Sequence, residues 1–347
     1  LKGYLRTVMA IVIGLLVLLT VYFIYSVYHD GTRWYNSANN TRLQANTDYV
    51  IAGSVTDRDG TVLASSDAPN TRTYAQDAVL RQSVAHLLGD SYGMTSTNLQ
   101  QRYKRILYGD EKAFLPKLIE TVEQGVIHGE SIAFSIDAQV QMQAYAAMAG
   151  RRGAVVALNY KTGQVICSVS VPTFDPATLT YEQATSAQHG TFVNKVLQGL
   201  YPPGSIFKIV TSAALLENGY TNLNYNCVGH NVMTGTPVNV SCYHGAVHGA
   251  LDLTGAFARS CNGAFAQWTL DNLGAQTLTR TAEDFGFNDN FLFSDCMLYN
   301  SSFTLPADDF ALAWASVGQD KTLVTPLHAA MISASVANVG VMMQPRY

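Results

Sequence analysis

The sequence predicts an α+β/α/β protein: an N-terminal transmembrane helix, a small extracytoplasmic α+β module, and a larger domain of sheet flanked by helices. Three observations carry this prediction. Thr7 to Tyr28 holds no Lys, Arg, Asp or Glu and centres on "AIVIGLLVLLTVYFIY". Beyond it, β-rich runs with Gly-containing turns alternate with helical stretches rich in Ala, Leu and Gln. Of 347 residues 48% are apolar and 13% charged, enough to fill a sizeable core. A net charge of −4 with no basic run excludes a nucleic-acid partner, which needs a concentrated positive surface.

Residues 1–6 form a short N-terminus and 7–28 the anchor. About 20 apolar residues at 1.5 Å each cross a hydrocarbon core of roughly 30 Å. Tyr22, Tyr25 and Tyr28 gather at the end where an interfacial aromatic belt sits. Lys2 and Arg6 precede the span, whereas Asp30 offsets Arg33 after it, so the N-terminus is expected in the cytoplasm and the rest outside. The apolar run is too long for a signal-peptide core, and no Ala-x-Ala-like site follows it. Residues 29–48 read as a polar, Asn-rich connector.

Residues 49–130 are expected to form a membrane-proximal dimerisation or pedestal module. "YVIAGSVTDRDGTVLASS" reads as two strands joined at Asp59-Gly60, because Gly60 can take a positive φ. The Asp57-x-Asp59-Gly60 spacing is calcium-like, but the bidentate Glu is missing, so a turn is expected. Residues 76–125 carry mostly helical periodicity. The larger domain, 131–347, opens with a strand, a helix over 138–149, and a hairpin of "GAVVALN" and "QVICSVSV" with Lys161-Thr162-Gly163 between them. "SIFKIVTSAALLENG" is a helix with a stop signal at Gly219.

The five cysteines are an odd number on an oxidising side, so one thiol at least stays unpaired within the chain. Most are expected to be small buried residues. Cys227 and Cys242 bracket a turn-rich insert, and a disulfide closing that loop of 16 residues is the expectation there. His244 and His248 stand four apart with Cys227 and Cys242 nearby, a spacing that suggests zinc. Gly245 and Gly249 argue against a rigid helix there, so the expectation is loop histidines and no metal.

Chemistry concentrates at Tyr201-Pro-Pro-Gly-Ser-Ile-Phe-Lys208. Pro203 and Gly204 break structure, Ser205 opens a helix, and Lys208 lies on the same face one turn on. Serine is a poor nucleophile until a base takes its proton. A lysine serves when burial lowers its pKa. A helix start also presents backbone N–H groups to a developing oxyanion, the N–H of Ser205 among them. This is the only Ser-x-x-Lys in the chain. Ser-x-Asn occurs at Ser37, Ser96 and Ser260, and only the last follows Ser205, 55 residues on. Ser260 suits a proton shuttle and Asn262 a hydrogen bond to a substrate amide; the other two suit turns or caps.

These motifs resemble those of class B penicillin-binding proteins, the membrane-anchored peptidoglycan D,D-transpeptidases. "SVTDRDGTVLA", "SIDAQVQMQAYAAM", "GAVVALNYKTGQVICSVSVPTFDP", "YPPGSIFK", "HGALDLTGAFARSCN" and "VTPLHAAMISASVANVG" resemble family segments in the family's order, with Ala52 where an Arg is usual. The resemblance implies a serine β-lactamase-like domain with a central antiparallel sheet flanked by helices. Ser205 would be the acylated nucleophile, Lys208 its general base, and Ser260 and Asn262 the second motif. Lys161 precedes Ser205 by 44 residues, while the family's Lys-Thr-Gly strand follows Ser-x-Asn, so Lys161-Thr162-Gly163 is expected to be a turn. The third motif is expected after Tyr347.

By the same resemblance, peptidoglycan stem peptides and β-lactams are the partners, with a polytopic glycan-polymerising glycosyltransferase in the membrane. No cofactor is implied, and the protein would sit in a bacterial cell membrane by a single pass, its catalytic domain extracytoplasmic. A D,D-carboxypeptidase or serine β-lactamase is the alternative among enzymes, and the anchor with module 49–130 argues against a free lactamase. A non-catalytic β-lactam sensor or scaffold fits poorly with one span and a very short N-terminus.

Overall fold

The computed structural model describes residues 2–35, 47–112, 114–187, 190–231 and 240–347. Helix α1 (Lys2–Tyr35) contains, at Arg6–Ser26, a 21-residue stretch long and apolar enough to cross a membrane. None of its most apolar window is buried by protein, as suits a helix whose backbone is satisfied internally and whose side chains face lipid. The helix continues into the expected connector as far as Tyr35, and 36–46 lie outside the described residues.

Strand β1 (Val50–Ile51) pairs in parallel with β5 (Ile127–His128). Strands β2 (Val55–Thr56), β3 (Val62–Ser65), β4 (Thr73–Tyr74) and β6 (Ile132–Ala133) make a sheet ordered β4-β3-β2-β6, with β6 parallel to β2. The β2–β3 turn forms at Asp59-Gly60 with Gly60 at φ 88°. Asp57 ties the turn together: its Oδ1 accepts the N–H groups of Asp59 (3.0 Å) and Thr61 (2.7 Å). Its Oδ2 accepts the Ala138 N–H at 3.1 Å, at the start of helix α2 (Ala138–Ala147). The stretch between β4 and β5 is helical as expected but broken into short pieces. One break falls at Gly89 (φ 84°), after which the Asp90 carboxylate binds the N–H groups of Tyr92, Met94 and Thr95 instead of letting the helix run on.

Strands β7 (Gly153–Leu158) and β8 (Val165–Val171) form the antiparallel hairpin, in register from Gly153 opposite Val171 to Ala157 opposite Cys167, with an irregularity before Leu158 opposite Val165. Nearly every residue of β8 is buried, because helices cover it. Helix α2 packs on β8 through buried Gln141, which donates to the Ser83 and Ser168 carbonyls and accepts from the Ser168 N–H, each at 2.8 Å. Lys161-Thr162-Gly163 is the hairpin turn, as its sequence order requires. Gly163 takes φ 78°, and a Cβ there would lie 2.0 Å from the Gln344 carbonyl oxygen.

The remaining elements that frame the site are α3 (Lys208–Glu217), β9 (Asn224–Cys227), β10 (Gly249–Asp252), α4 (Asn262–Trp268) and α5 (Pro326–Ala337). Helix α3 ends where expected. Gly219 is left-handed, its N–H reaches the Leu216 carbonyl, and the Tyr220 N–H reaches Leu215, which closes a Schellman motif. One buried cluster joins Val55, Leu63 and Leu87 to Phe134, Val165, Val196, Leu327 and Tyr347, so residues 49–130 share a core with residues 131–347. A second cluster, around Phe207, Ala214, Ala264, Phe265 and Leu312, sits directly beneath the site.

Cys227 and Cys242 do meet, but as free thiols with Sγ atoms 3.7 Å apart, not as the expected disulfide. Cys242 is shared: the Cys261 Sγ also stands 3.7 Å from it, so the fold gathers three sulfurs where the sequence suggests two. Much of the bracketed insert, 232–239, lies outside the described residues.

Candidate active site

Two backbone approaches hold the turn that carries Ser205. Tyr201 exchanges hydrogen bonds with Val324 at 3.0 and 2.8 Å, and the Gly204 N–H donates to the Gly318 carbonyl at 2.8 Å. Gly204 (φ 56°) and Gly318 (φ 74°) are both left-handed. A Cβ on Gly318 would lie 2.2 Å from the Gly204 oxygen, so only glycine allows this approach. Pinned in this way, Gly204–Phe207 winds as a 3₁₀ turn and the α-helix begins at Lys208, one turn later than the sequence suggests. The change tightens the pair, because residues i and i+3 eclipse in a 3₁₀ helix.

Lys208 Nζ donates to Ser205 Oγ at 2.9 Å. Ser205 is exposed, whereas Lys208 is 2% exposed, beneath it and 5.9 Å from the centroid of the Phe265 ring. Two further acceptors for the ammonium are Ser260 Oγ (3.0 Å) and Asn262 Oδ1 (2.6 Å), which with Ser205 Oγ use its three N–H groups, and the Ser260 carbonyl stands at 3.3 Å. Burial pulls the Lys208 pKa down from 10.5 to about 8, while the nearby Cys242 and Cys261 act in the opposite sense. The amine and ammonium forms are therefore both populated near neutral pH.

Ser260 sits at φ 52°, a left-handed conformation that a serine adopts at a cost of about 1–3 kcal/mol. The strain aims its side chain between the two others: Ser260 Oγ donates to Ser205 Oγ at 2.8 Å while accepting from Lys208. Asn262, at the start of α4, is oriented from both ends, its Oδ1 on Lys208 and its Nδ2 donating to the Ser241 carbonyl at 2.9 Å. A primary amide has a second N–H to offer, so one donor remains for a substrate carbonyl.

All four residues named from the two motifs thus come together, although 55 residues of sequence separate Ser205 from Ser260. Ser96-x-Asn98 is a helix cap, with Asn98 Oδ1 accepting the Gln101 N–H at 2.8 Å, and Ser37 lies outside the described residues. The roles of the Ser241 carbonyl and of Gly318 have no sequence signal, since a carbonyl acts without regard to side-chain type and glycine has many uses.

A hydroxyl in contact with a buried lysine of lowered pKa, and a second hydroxyl touching both, form a serine–lysine cluster at the start of a helix. The penicillin-binding protein transpeptidase domain model matches residues 153–347, and the chain belongs to that family. The chain is 30% identical over 275 residues to the peptidoglycan D,D-transpeptidase PbpA of Mycolicibacterium smegmatis, covering 74% of this chain and 56% of that protein. Its counterpart in Mycobacterium tuberculosis H37Rv is 31% identical over 271 residues, covering 72% and 55%. Among solved structures, penicillin-binding protein A from M. tuberculosis as its penicillin G acyl-enzyme complex matches with a TM-score of 0.76 at 29% identity. That match covers 85% of this chain and 73% of the other. The chain spans about half the length of the curated relatives it matches.

Proposed function

We propose that this chain is the anchored part of an acyl-serine D,D-transpeptidase that cross-links peptidoglycan stem peptides. The observation that carries the reading is the closed set of contacts among Ser205, Lys208, Ser260 and Asn262. In the neutral form Lys208 takes the Ser205 proton as Oγ attacks the penultimate carbonyl of a D-Ala-D-Ala stem. The carbonyl oxygen gains charge opposite the N–H of Ser205 at the start of the 3₁₀ turn. Ser260, bonded to both partners, relays the proton from Lys208 to the departing amine, and the carbon–nitrogen bond to the terminal D-Ala breaks. An amine from a neighbouring stem then attacks the ester, gives its proton back through Ser260 and Lys208, and restores Ser205. A β-lactam would open on the same hydroxyl and leave slowly. No step uses a metal or an organic cofactor.

The same reading assigns 7–28 to a single-pass anchor with the catalytic residues on the outer face, 49–130 to a pedestal, and a polytopic glycan-polymerising enzyme to the membrane beside α1. It also expects a Lys-Thr/Ser-Gly strand to supply a cation for the substrate carboxylate. Lys161-Thr162-Gly163 turns instead against the backbone of 344–346, with the Arg346 N–H on the Gly163 carbonyl at 2.9 Å. Labelling the full-length protein with a fluorescent penicillin and mapping the modified peptide tests the proposal. Label is expected on Ser205 and lost in Ser205→Ala; label on another residue, or undiminished label in the variant, overturns it.

A further inference from the structure

The charged and apolar residues of the helix Phe114–Gln124 stand the wrong way round for a helix on a protein surface. Leu118, Ile119 and Val122 share one stripe of it, and Lys117 and Glu120 lie on the opposite side. A surface helix ordinarily turns its apolar stripe to the core and its charges to water. Here the charged side is held against the body. Glu120 accepts from Lys112 Nζ at 2.7 Å and from the His128 N–H at 3.1 Å, and Lys117 Nζ stands 3.9 Å from Asp110. The Lys117 and Glu120 side chains keep 26% and 24% of their surface, whereas Leu118, Ile119 and Val122 are 45%, 47% and 77% exposed. The apolar stripe is the outward one, and contiguous apolar surface of this kind marks a contact site.

The place of this helix in the fold says what covers the stripe. Strand β5 begins three residues after Gln124, and its parallel pairing puts Ile127 beside Val50, the first residue of β1. Thr47–Tyr49, where the chain comes in from α1, directly precedes Val50. The end of the helix and the point of entry therefore both lie within three positions of one strand pair. Residues 36–46 separate Tyr35 of the membrane helix from Thr47, a reach of at most about 40 Å. Tyr49, beside the entry, is 67% exposed, and tyrosine is the residue type that suits a lipid headgroup layer.

We propose that Leu118, Ile119 and Val122 rest in the headgroup–acyl boundary of the bilayer that α1 crosses, so that this helix lies along the lipid surface as a second contact beside the span. The inference rests on α1 as a membrane anchor and does not depend on the reaction. Lys112 with Glu120, and Lys117 with Asp110, cancel in pairs, so the contact is an apolar one and needs no anionic lipid. Three apolar side chains fall far short of the roughly 20–30 residues a side of a stable protein interface, whereas a lipid surface needs no complementary shape. The contact fixes which face of residues 49–130 is turned to the bilayer. Attachment through a single stretch of chain does not.

The experiment attaches a fluorophore to single introduced cysteines of the full-length protein, reconstituted in phosphatidylcholine nanodiscs that hold one chain each. The five native cysteines are buried, and the unsubstituted protein gives the labelling blank. A nitroxide at headgroup level in the lipid should quench the probe at Leu118→Cys and Val122→Cys at least about twofold more than at Thr121→Cys, as a stripe sunk about 5–10 Å into the boundary requires. A probe at Gln276→Cys, on the larger domain, should stay unquenched. Quenching should be equal at low and high salt, because paired charges do not drive the contact. Val122→Asp should sharply lower quenching at Leu118→Cys while thermal unfolding stays unchanged. Equal quenching at positions 118, 121 and 122 overturns the contact. So does its absence at 118 and 122 while a probe at Leu18→Cys in the span is quenched by a nitroxide deep in the acyl chains, an outcome that leaves the anchor standing. An unquenched Leu18→Cys overturns the anchor and this contact together. Quenching or cross-linking at 118 and 122 that appears only in discs holding two chains assigns the stripe to a second copy, and overturns the proposal as well.

Discussion

Raising the pH from 7 to 9 should speed acylation of Ser205 by penicillin about tenfold, and a further rise to pH 10 should add almost nothing. The perturbation acts on Lys208, whose pKa burial lowers from 10.5 to about 8. With that value roughly 9% of the amine is neutral at pH 7, roughly 91% at pH 9 and nearly all at pH 10. An exposed lysine near 10.5 would instead give about a hundredfold rise from pH 7 to 9, still climbing at pH 10. Stopped-flow acylation of the full-length protein, corrected for the pH stability of the β-lactam, separates the two. Lys208→Ala should be slower by at least about a hundredfold and lose the midpoint near pH 8. A rate that is flat from pH 7 to 9, or one that climbs through pH 10, would refute the assignment of Lys208 as the base. The same shift has a cost in stability. Below pH 8 both folded and unfolded chains carry the proton, and the folded state bears the full penalty, on the order of 3 kcal/mol. Between pH 8 and 10.5 the unfolded chain binds more protons, so the Lys208 contribution to stability rises with pH there. Thermal unfolding should show this added slope, and Lys208→Ala should lack it.

Asp57→Ala removes a buried carboxylate that accepts three N–H groups and latches the β2–β3 turn to α2; a loss of about 3 kcal/mol in denaturant unfolding is expected, with Asp59→Ala far milder. Gly318→Ala should cost more than about 1 kcal/mol and slow penicillin acylation, since its Cβ would push the Gly204 carbonyl and the turn bearing Ser205; an unchanged acylation rate would show that the approach is not needed. Buried His86, its Nε2–H on the Thr191 carbonyl at 2.8 Å, has its pKa lowered by burial from 6.5 to about 4. Its stabilising effect is whole above pH 6.5 and lost as the pH falls towards 4, on the order of 3 kcal/mol in all, so melting temperature against pH should flatten over that window in His86→Leu.

Much of this protein is written in local patterns. The uncharged run in α1, the Asp59-Gly60 turn, the stop at Gly219 and the hairpin turn at Lys161-Thr162-Gly163 each depend on neighbours in the chain, so periodicity and turn chemistry disclose them. Ser205 and Lys208 are legible for the same reason, being three residues apart on one turn. Ser260 and Asn262 are legible as a motif that follows Ser205, but not as atoms within 3.0 Å of Lys208.

Tertiary structure decided the rest, because those features join segments that no periodicity links. The 3₁₀ start of the helix comes from the Gly318 carbonyl, 114 positions beyond Gly204. The lowered pKa of Lys208 comes from the cluster packed beneath it, and the left-handed Ser260 from the turn between two helices. Asp57 reads locally as a turn residue, and only the fold shows it gripping α2. The cysteines make the contrast plainest: spacing suggests a pair, Cys227 with Cys242, whereas β9, β10 and α4 converge to put Cys261 and His248 beside them. Sequence determines which side chains the chain owns; which of them meet is a matter of long-range packing, and that is settled only when the core closes.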